Sequence, residues 1–60
     1  MNKYRASVHL EKGSIRACSI QYIEAPDVFE ATFDLLRRLK QECDKDTSYE
    51  IVSIEDLRYV

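Results

Sequence analysis

Glycine and proline occur once each in the 60 residues, at Gly13 and Pro26, and tryptophan is missing altogether. A lone glycine excludes a glycine-rich phosphate loop, which needs several residues without side chains for the backbone to approach a phosphate. The scarcity of both residues also excludes long flexible linkers and a disordered tail. No apolar run reaches the roughly 18 residues needed to span a bilayer. Met1 to Leu10 contains no apolar h-region and no cleavage site, so we expect no secretory signal and a cytoplasmic location. Disulfides are rare in that compartment. The only two cysteines, Cys18 and Cys43, fall on apolar faces of the elements read below and are expected as buried free thiols. With His9 as the only histidine, one chain falls short of a four-ligand zinc site, which would have to be shared between subunits. We expect no metal and no cofactor. A basic excess is also lacking. Nine Lys and Arg against eleven Asp and Glu give a formal charge of -2, whereas domains that live on a phosphate backbone are usually strongly basic.

What is present fits one small domain, residues 1–60, with 45% hydrophobic and 33% charged residues. A chain of this length buries only about 60% of the surface its unfolded form exposes. Its core stabilisation nearly cancels against chain entropy, so a partner surface is a natural supplement.

The first strand runs from about Lys3 to Leu10, where Tyr4, Ala6, Val8 and Leu10 alternate with polar residues. A turn follows at Glu11-Lys12-Gly13, and a second strand runs from Ser14 to Glu24 with ambiguous alternation. A three-residue loop with left-handed Gly13 suits Glu-Lys-Gly. It would set Leu10 opposite Ser14, Val8 opposite Arg16, Ala6 opposite Cys18 and Tyr4 opposite Ile20. Cys18, Ile20 and Tyr22 then join the core face; the reverse register would expose Ile20 and Tyr22 beside Arg5. An amphipathic helix is predicted over Asp27 to Cys43, opened by a capping box in Asp27-Val28-Phe29-Glu30. Val28, Ala31, Thr32, Leu35, Leu39 and Cys43 form its apolar stripe. Leu36, Phe29 and Phe33 widen that stripe to about 200°, beyond what one sheet needs. Asp34 and Arg38 are spaced as an ion pair. After a polar loop, Asp44 to Ser48, a third strand runs from Tyr49 to Val60. Val52 and Ile54 share its inner face and Ile51 lies opposite. A bulge at Glu55-Asp56 would keep Leu57 and Tyr59 in line.

The fold expected is α+β, in the order β-β-α-β: a three-stranded antiparallel sheet of spatial order 2-1-3 with one helix packed on one face. The second and third strands are then edges. The long, β-branched third strand invites pairing with another chain.

No catalytic constellation is legible, and we expect a non-enzymatic protein. His9 is expected on the outward face, away from Cys18 and out of reach of a Cys-His pair. Asp44, Asp46 and Ser48 begin like a calcium loop, but Tyr49 stands where that loop needs glycine. Phe29 and Phe33, one turn apart at the margin of the stripe and followed by Arg37, are residue types that anchor interfaces. With Ile51 they form the candidate partner site of a homodimer. An alternative nucleic-acid surface would use Lys3, Arg5, His9, Lys12 and Arg16 around the hairpin, although the expected register turns Tyr4 and Tyr22 inward and leaves no stacking platform.

In layout, with Ala-Pro-Asp-Val-Phe-Glu-Ala opening the helix and Ile-Val-Ser-Ile-Glu-Asp-Leu near the end, the chain resembles the small β-β-α-β open reading frames of phages, plasmids and cassettes. That likeness implies a further alternative, an inhibitor of a host protein acting by mimicry or strand addition. The layout is also similar to a small archaeal ribosomal protein module, from which the acidic balance sets it apart. Neither likeness assigns a function to any residue.

Overall fold

The computed structural model describes residues 1–59. Strand β1 (Asn2–Lys12) and strand β2 (Ile15–Ala25) form a hairpin, helix α1 (Val28–Glu42) follows, and strand β3 (Thr47–Asp56) closes the sheet. The sheet is antiparallel with spatial order β2-β1-β3, so the α+β architecture expected from the sequence is the observed one.

The helix starts where its capping residue predicts. Asp27 is extended, and its carboxylate accepts the Glu30 backbone N–H at 2.9 Å, which satisfies one of the donors that a helix start leaves open. Ala31, Leu35 and Leu39 are its buried positions. They meet Tyr4, Ala6 and Val8 of β1 and Ile23 and Ala25 of β2, with Leu10, Ile51 and Ile54 packed around them.

The hairpin differs from the sequence expectation. Lys12 pairs with Ile15, so Gly13 and Ser14 alone make the turn. Gly13 has φ +62° and no other described residue has positive φ. That pattern matches a type II′ turn, which takes glycine at its first central position. The register consequently pairs Tyr4 with Ile23, Ala6 with Gln21, Val8 with Ser19 and Leu10 with Ala17. Cys18, Ile20 and Tyr22 are exposed on the outer face rather than buried in the core. The polar inner face of β2 is accommodated by the helix flank above it. Arg38 donates to the Gln21 amide oxygen at 3.3 Å and to the Tyr22 carbonyl at 3.2 Å, and Gln21 donates to Ser19 Oγ at 2.9 Å. Arg38 is thus taken by β2, and Asp34 pairs instead with Arg37 at 3.7 Å.

A Cβ added at Gly13 would meet nothing within 4 Å, so the turn asks for glycine only through its backbone angle. Gly13→Ala should therefore cost about 1 kcal/mol or more, and Gly13→Asn less, because asparagine tolerates positive φ. Urea denaturation of the two variants checks the ordering.

The third strand also departs from expectation. The ladder shifts register between Ser7/Ser53 and Val8/Ile51, leaving Val52 as the extra residue. The irregularity turns Ile51 inward with Ile54 and leaves Val52 exposed, reversing their expected faces. No bulge forms at Glu55-Asp56. The Asp56 carboxylate accepts the Arg58 backbone N–H at 3.0 Å and its guanidinium at 2.6 Å. These bonds hold the carboxyl below its usual range, with the Arg58 side chain as the main cause. They also fold Leu57–Tyr59 into a short 3₁₀ turn. The predicted strand residue Val60 lies outside the described residues.

The molecule is a slab of 36 × 21 × 12 Å with a radius of gyration of 12.0 Å, against about 10 Å for a rounded chain of this length. An 11-residue strand spans about 36 Å, whereas a 15-residue helix covers only about 22 Å. The helix therefore leaves the hairpin tip uncovered. Ala17 and Ile15 are exposed there although they lie on the inner face.

Candidate interaction surfaces

Two apolar surfaces are left without a partner. The first is the flank of α1. Phe29, Phe33 and Leu36 recur at helical spacing and lie within about 60° of one another around the axis. Phe29 is 74% exposed and Phe33 64%. Arg38, on the opposite side of the helix, reaches β2, so the phenylalanine flank looks toward the β3 side. β3 is an edge strand, with no described strand paired to its outer side. A hollow of about 400 Å³ lies at the start of the helix, lined in part by Tyr4, Pro26, Val28 and Ile54. Of the expected partner-site residues, Phe29, Phe33 and Arg37 are exposed on the helix. Ile51 sits half-buried under it rather than on the opposite face.

The second surface is the open face of the sheet. Tyr22 (63% exposed), Ile20 and Val52 stand there around the small Ser7 and Ser53. Each cation beside them has a carboxylate: Lys3 with Glu24 at 3.9 Å, Arg5 with Glu55 at 2.9 Å and Arg16 with Glu11 at 3.7 Å. These are surface pairs and contribute little to stability, but they cancel the field that a basic groove would need. Lys12 is also occupied, bonding Asp44 at 2.6 Å.

The observed register corrects a further expectation. His9 pairs directly with Cys18 on β2 and with Glu50 on β3. The histidine and the cysteine therefore share the open face, and both are exposed. Cys18 was expected as a buried thiol; it is exposed, and Cys43 is half-buried. The signal that identifies this arrangement is Gly13-Ser14, a two-residue hairpin turn pair, which fixes every β2 side chain to its face.

The loop after α1 is tied rather than open for a cation. Asp44 Oδ1 accepts the Asp46 backbone N–H at 3.0 Å and the Thr47 hydroxyl at 2.8 Å, and Oδ2 takes Lys12 Nζ. Among the described residues no three His, Cys, Asp or Glu side chains converge as a metal cage. The Lys12 bond first, and then the Thr47 bond, lower the Asp44 carboxyl from 3.8 to about 2. A carboxyl depressed by folding contributes stability above its unfolded value and loses that contribution as pH falls through the folded one. The tie should hold at pH 4 and loosen toward pH 2. NMR titration of the Asp44 carboxyl should give a midpoint near the lower value, and Lys12→Ala should move it back up.

No described helix is long and apolar enough to cross a membrane. Comparison of the chain with protein-family models, with curated proteins and with solved structures finds no match.

Proposed function

We propose that this chain is a non-enzymatic interaction module of the cytoplasm that self-associates as a homodimer through the α1 flank and the neighbouring β3 edge. The carrying observation is the exposed Phe29 and Phe33 pair beside an unpaired edge strand. Aromatic and arginine side chains are the usual anchors of interfaces, and Arg37 continues the flank one turn on. The surface area supports this reading. The chain exposes 4582 Å², where a compact monomer of its mass exposes about 4,100 Å². A twofold axis beside β3 would pair the two edge strands and bring the two flanks together, an isologous and closed arrangement.

Sedimentation equilibrium across the micromolar range tests it. A mass approaching twice 7.1 kDa supports the reading; a mass fixed at one chain over the whole range overturns it.

Nucleic-acid binding by the open sheet face is the rival reading. It gains the exposed Tyr22 as a stacking surface, with the exposed Ile20 on the same face, since bases stack on aromatic rings. Against it, Lys3, Arg5 and Arg16 are each matched by a carboxylate, and Glu50 adds a further negative charge to that face. A gel shift at low salt decides, because phosphate contacts must weaken steeply as salt rises.

A further inference from the structure

We propose that His9 and Cys18 form half of a site for a borderline-soft divalent cation such as Zn²⁺, completed by the same two residues of a second copy packed face to face on the open sheet surface.

The register places the two donors side by side on adjacent strands. Directly paired residues on a sheet have Cβ atoms about 4.5–5.5 Å apart, close enough for a thiolate sulfur and an imidazole nitrogen to share one ion at ordinary bond lengths of about 2.3 and 2.1 Å. Both side chains are exposed. Both line one open hollow of about 480 Å³, together with Arg16, Ser48 and Glu50. Neither has a hydrogen bond or ion pair to another side chain among the described residues.

Glu50 faces His9 from the other side. A ligating histidine characteristically donates its second ring N–H to a carboxylate, which orients the ring. Cys18, His9 and Glu50 therefore stand in a row in the order thiolate, imidazole, carboxylate across the three strands. That order leaves one imidazole nitrogen for the metal and the other for Glu50.

One chain offers two donors and no third that converges with them. A tetrahedral Zn²⁺ wants four, and a twofold axis through the ion supplies two cysteines and two histidines. Binding displaces one proton from each thiol, so Zn²⁺ and two thiols become a neutral two-thiolate, two-imidazole centre plus two protons. The surface around the pair suits a second copy. Its cations are already matched by carboxylates of the same chain, so two copies can approach without facing blocks of like charge. Ile20, two residues along β2 from Cys18, supplies exposed apolar area next to the pair, and Tyr22 extends it farther along the strand. This contact lies on the sheet face opposite the helix and is independent of the α1 flank.

Titration of the metal-free protein with Co²⁺ tests the proposal, since tetrahedral thiolate coordination gives a sulfur-to-cobalt charge-transfer band and visible d–d bands. Saturation is expected at one metal per two chains, with a rise in the mass of the metal-free species (a doubling, from one chain to two, where the helix-flank contact has been removed), and Zn²⁺ should displace the cobalt. Cys18→Ser should abolish the charge-transfer band and the mass change, and His9→Ala should abolish the one-to-two stoichiometry. Glu50→Gln should weaken binding by about 10–100-fold. Cys43→Ser should leave all of these unchanged. A Phe29→Ser/Phe33→Ser variant should keep the same metal stoichiometry, which separates this contact from the helix-flank dimer. Absence of the charge-transfer band, its persistence in Cys18→Ser, or saturation at one metal per chain without a mass change would overturn the proposal.

Discussion

Leu35→Ala should leave most of the chain unfolded at 25 °C. Leu35 is fully buried and stands, with Leu39 and Val8, among the largest side chains that are completely enclosed. Truncating an enclosed leucine removes its transfer free energy and leaves a cavity, together about 2–5 kcal/mol. A core in a chain below about 70 residues rarely supplies more than 3–5 kcal/mol, so the loss matches most of the stability available. The eight buried apolar residues among those described offer little compensation, because three of them are already alanine, at Ala6, Ala25 and Ala31. Far-UV circular dichroism with urea titration reads the effect. Leu36→Ala, one position further along the same helix but partly exposed, serves as the control and should cost far less. A cooperative Leu35→Ala transition with a loss under about 1 kcal/mol would show that the core is not organised around this residue. Association with a second copy adds stability by mass action, so raising the concentration of Leu35→Ala should recover part of the folded signal.

Replacing both phenylalanines of the helix flank, Phe29→Ser with Phe33→Ser, should abolish self-association and leave the fold intact. The rings are largely in water in the single chain, at 74% and 64% exposure, so the fold loses little burial on their removal. In a dimer packed on this flank they are the central apolar anchors. Residues of that kind cost about 2 kcal/mol or more each when truncated, which is about 30-fold in dissociation constant for one ring. The double variant should therefore sediment as a single chain at concentrations where the parent protein is dimeric, with its thermal transition shifted only by the lost association. An unchanged dimer mass would move the contact elsewhere. A collapsed thermal transition at any concentration would mean that the rings serve the fold itself.

The fold and its surfaces were legible in the sequence to unequal degrees, for identifiable reasons. β1 is the central strand, with one face packed and one open, so Tyr4, Ala6 and Val8 alternate cleanly with polar residues. The helix start was legible because Asp27 caps it with a local hydrogen bond that needs no tertiary context. The order of the strands followed from chain connectivity and the handedness of crossovers. The register of β2 did not follow from hydrophobicity. Its inner face carries Gln21, which accepts from Arg38 reaching down from the helix, and Ser19, which accepts from Gln21, and its outer face carries Ile20 and Tyr22. An edge strand at the polar margin of a helix can invert the usual rule, and the deciding information lay in the turn at Gly13-Ser14. β3 failed for a different reason. Ile51 and Val52 are adjacent β-branched residues, so the pattern cannot say which of them faces in, and the register shift between them decides. The pairing of His9 with Cys18 was hidden behind the first of these two ambiguities.

The mismatch between long strands and a shorter helix divides the molecule into two regimes of motion. Near Val8 and Leu35 backbone amides are shielded from solvent and should exchange hydrogen only when the whole domain opens. Around Gly13 the ribbon has solvent on both faces, and its amides should exchange by local fraying long before that. The tip is accordingly the place where extra residues could be spliced in. Lengthening a loop raises its closure entropy only logarithmically, so the cost of a graft at Gly13-Ser14 falls on the β2 register that this turn sets and not on closing the loop.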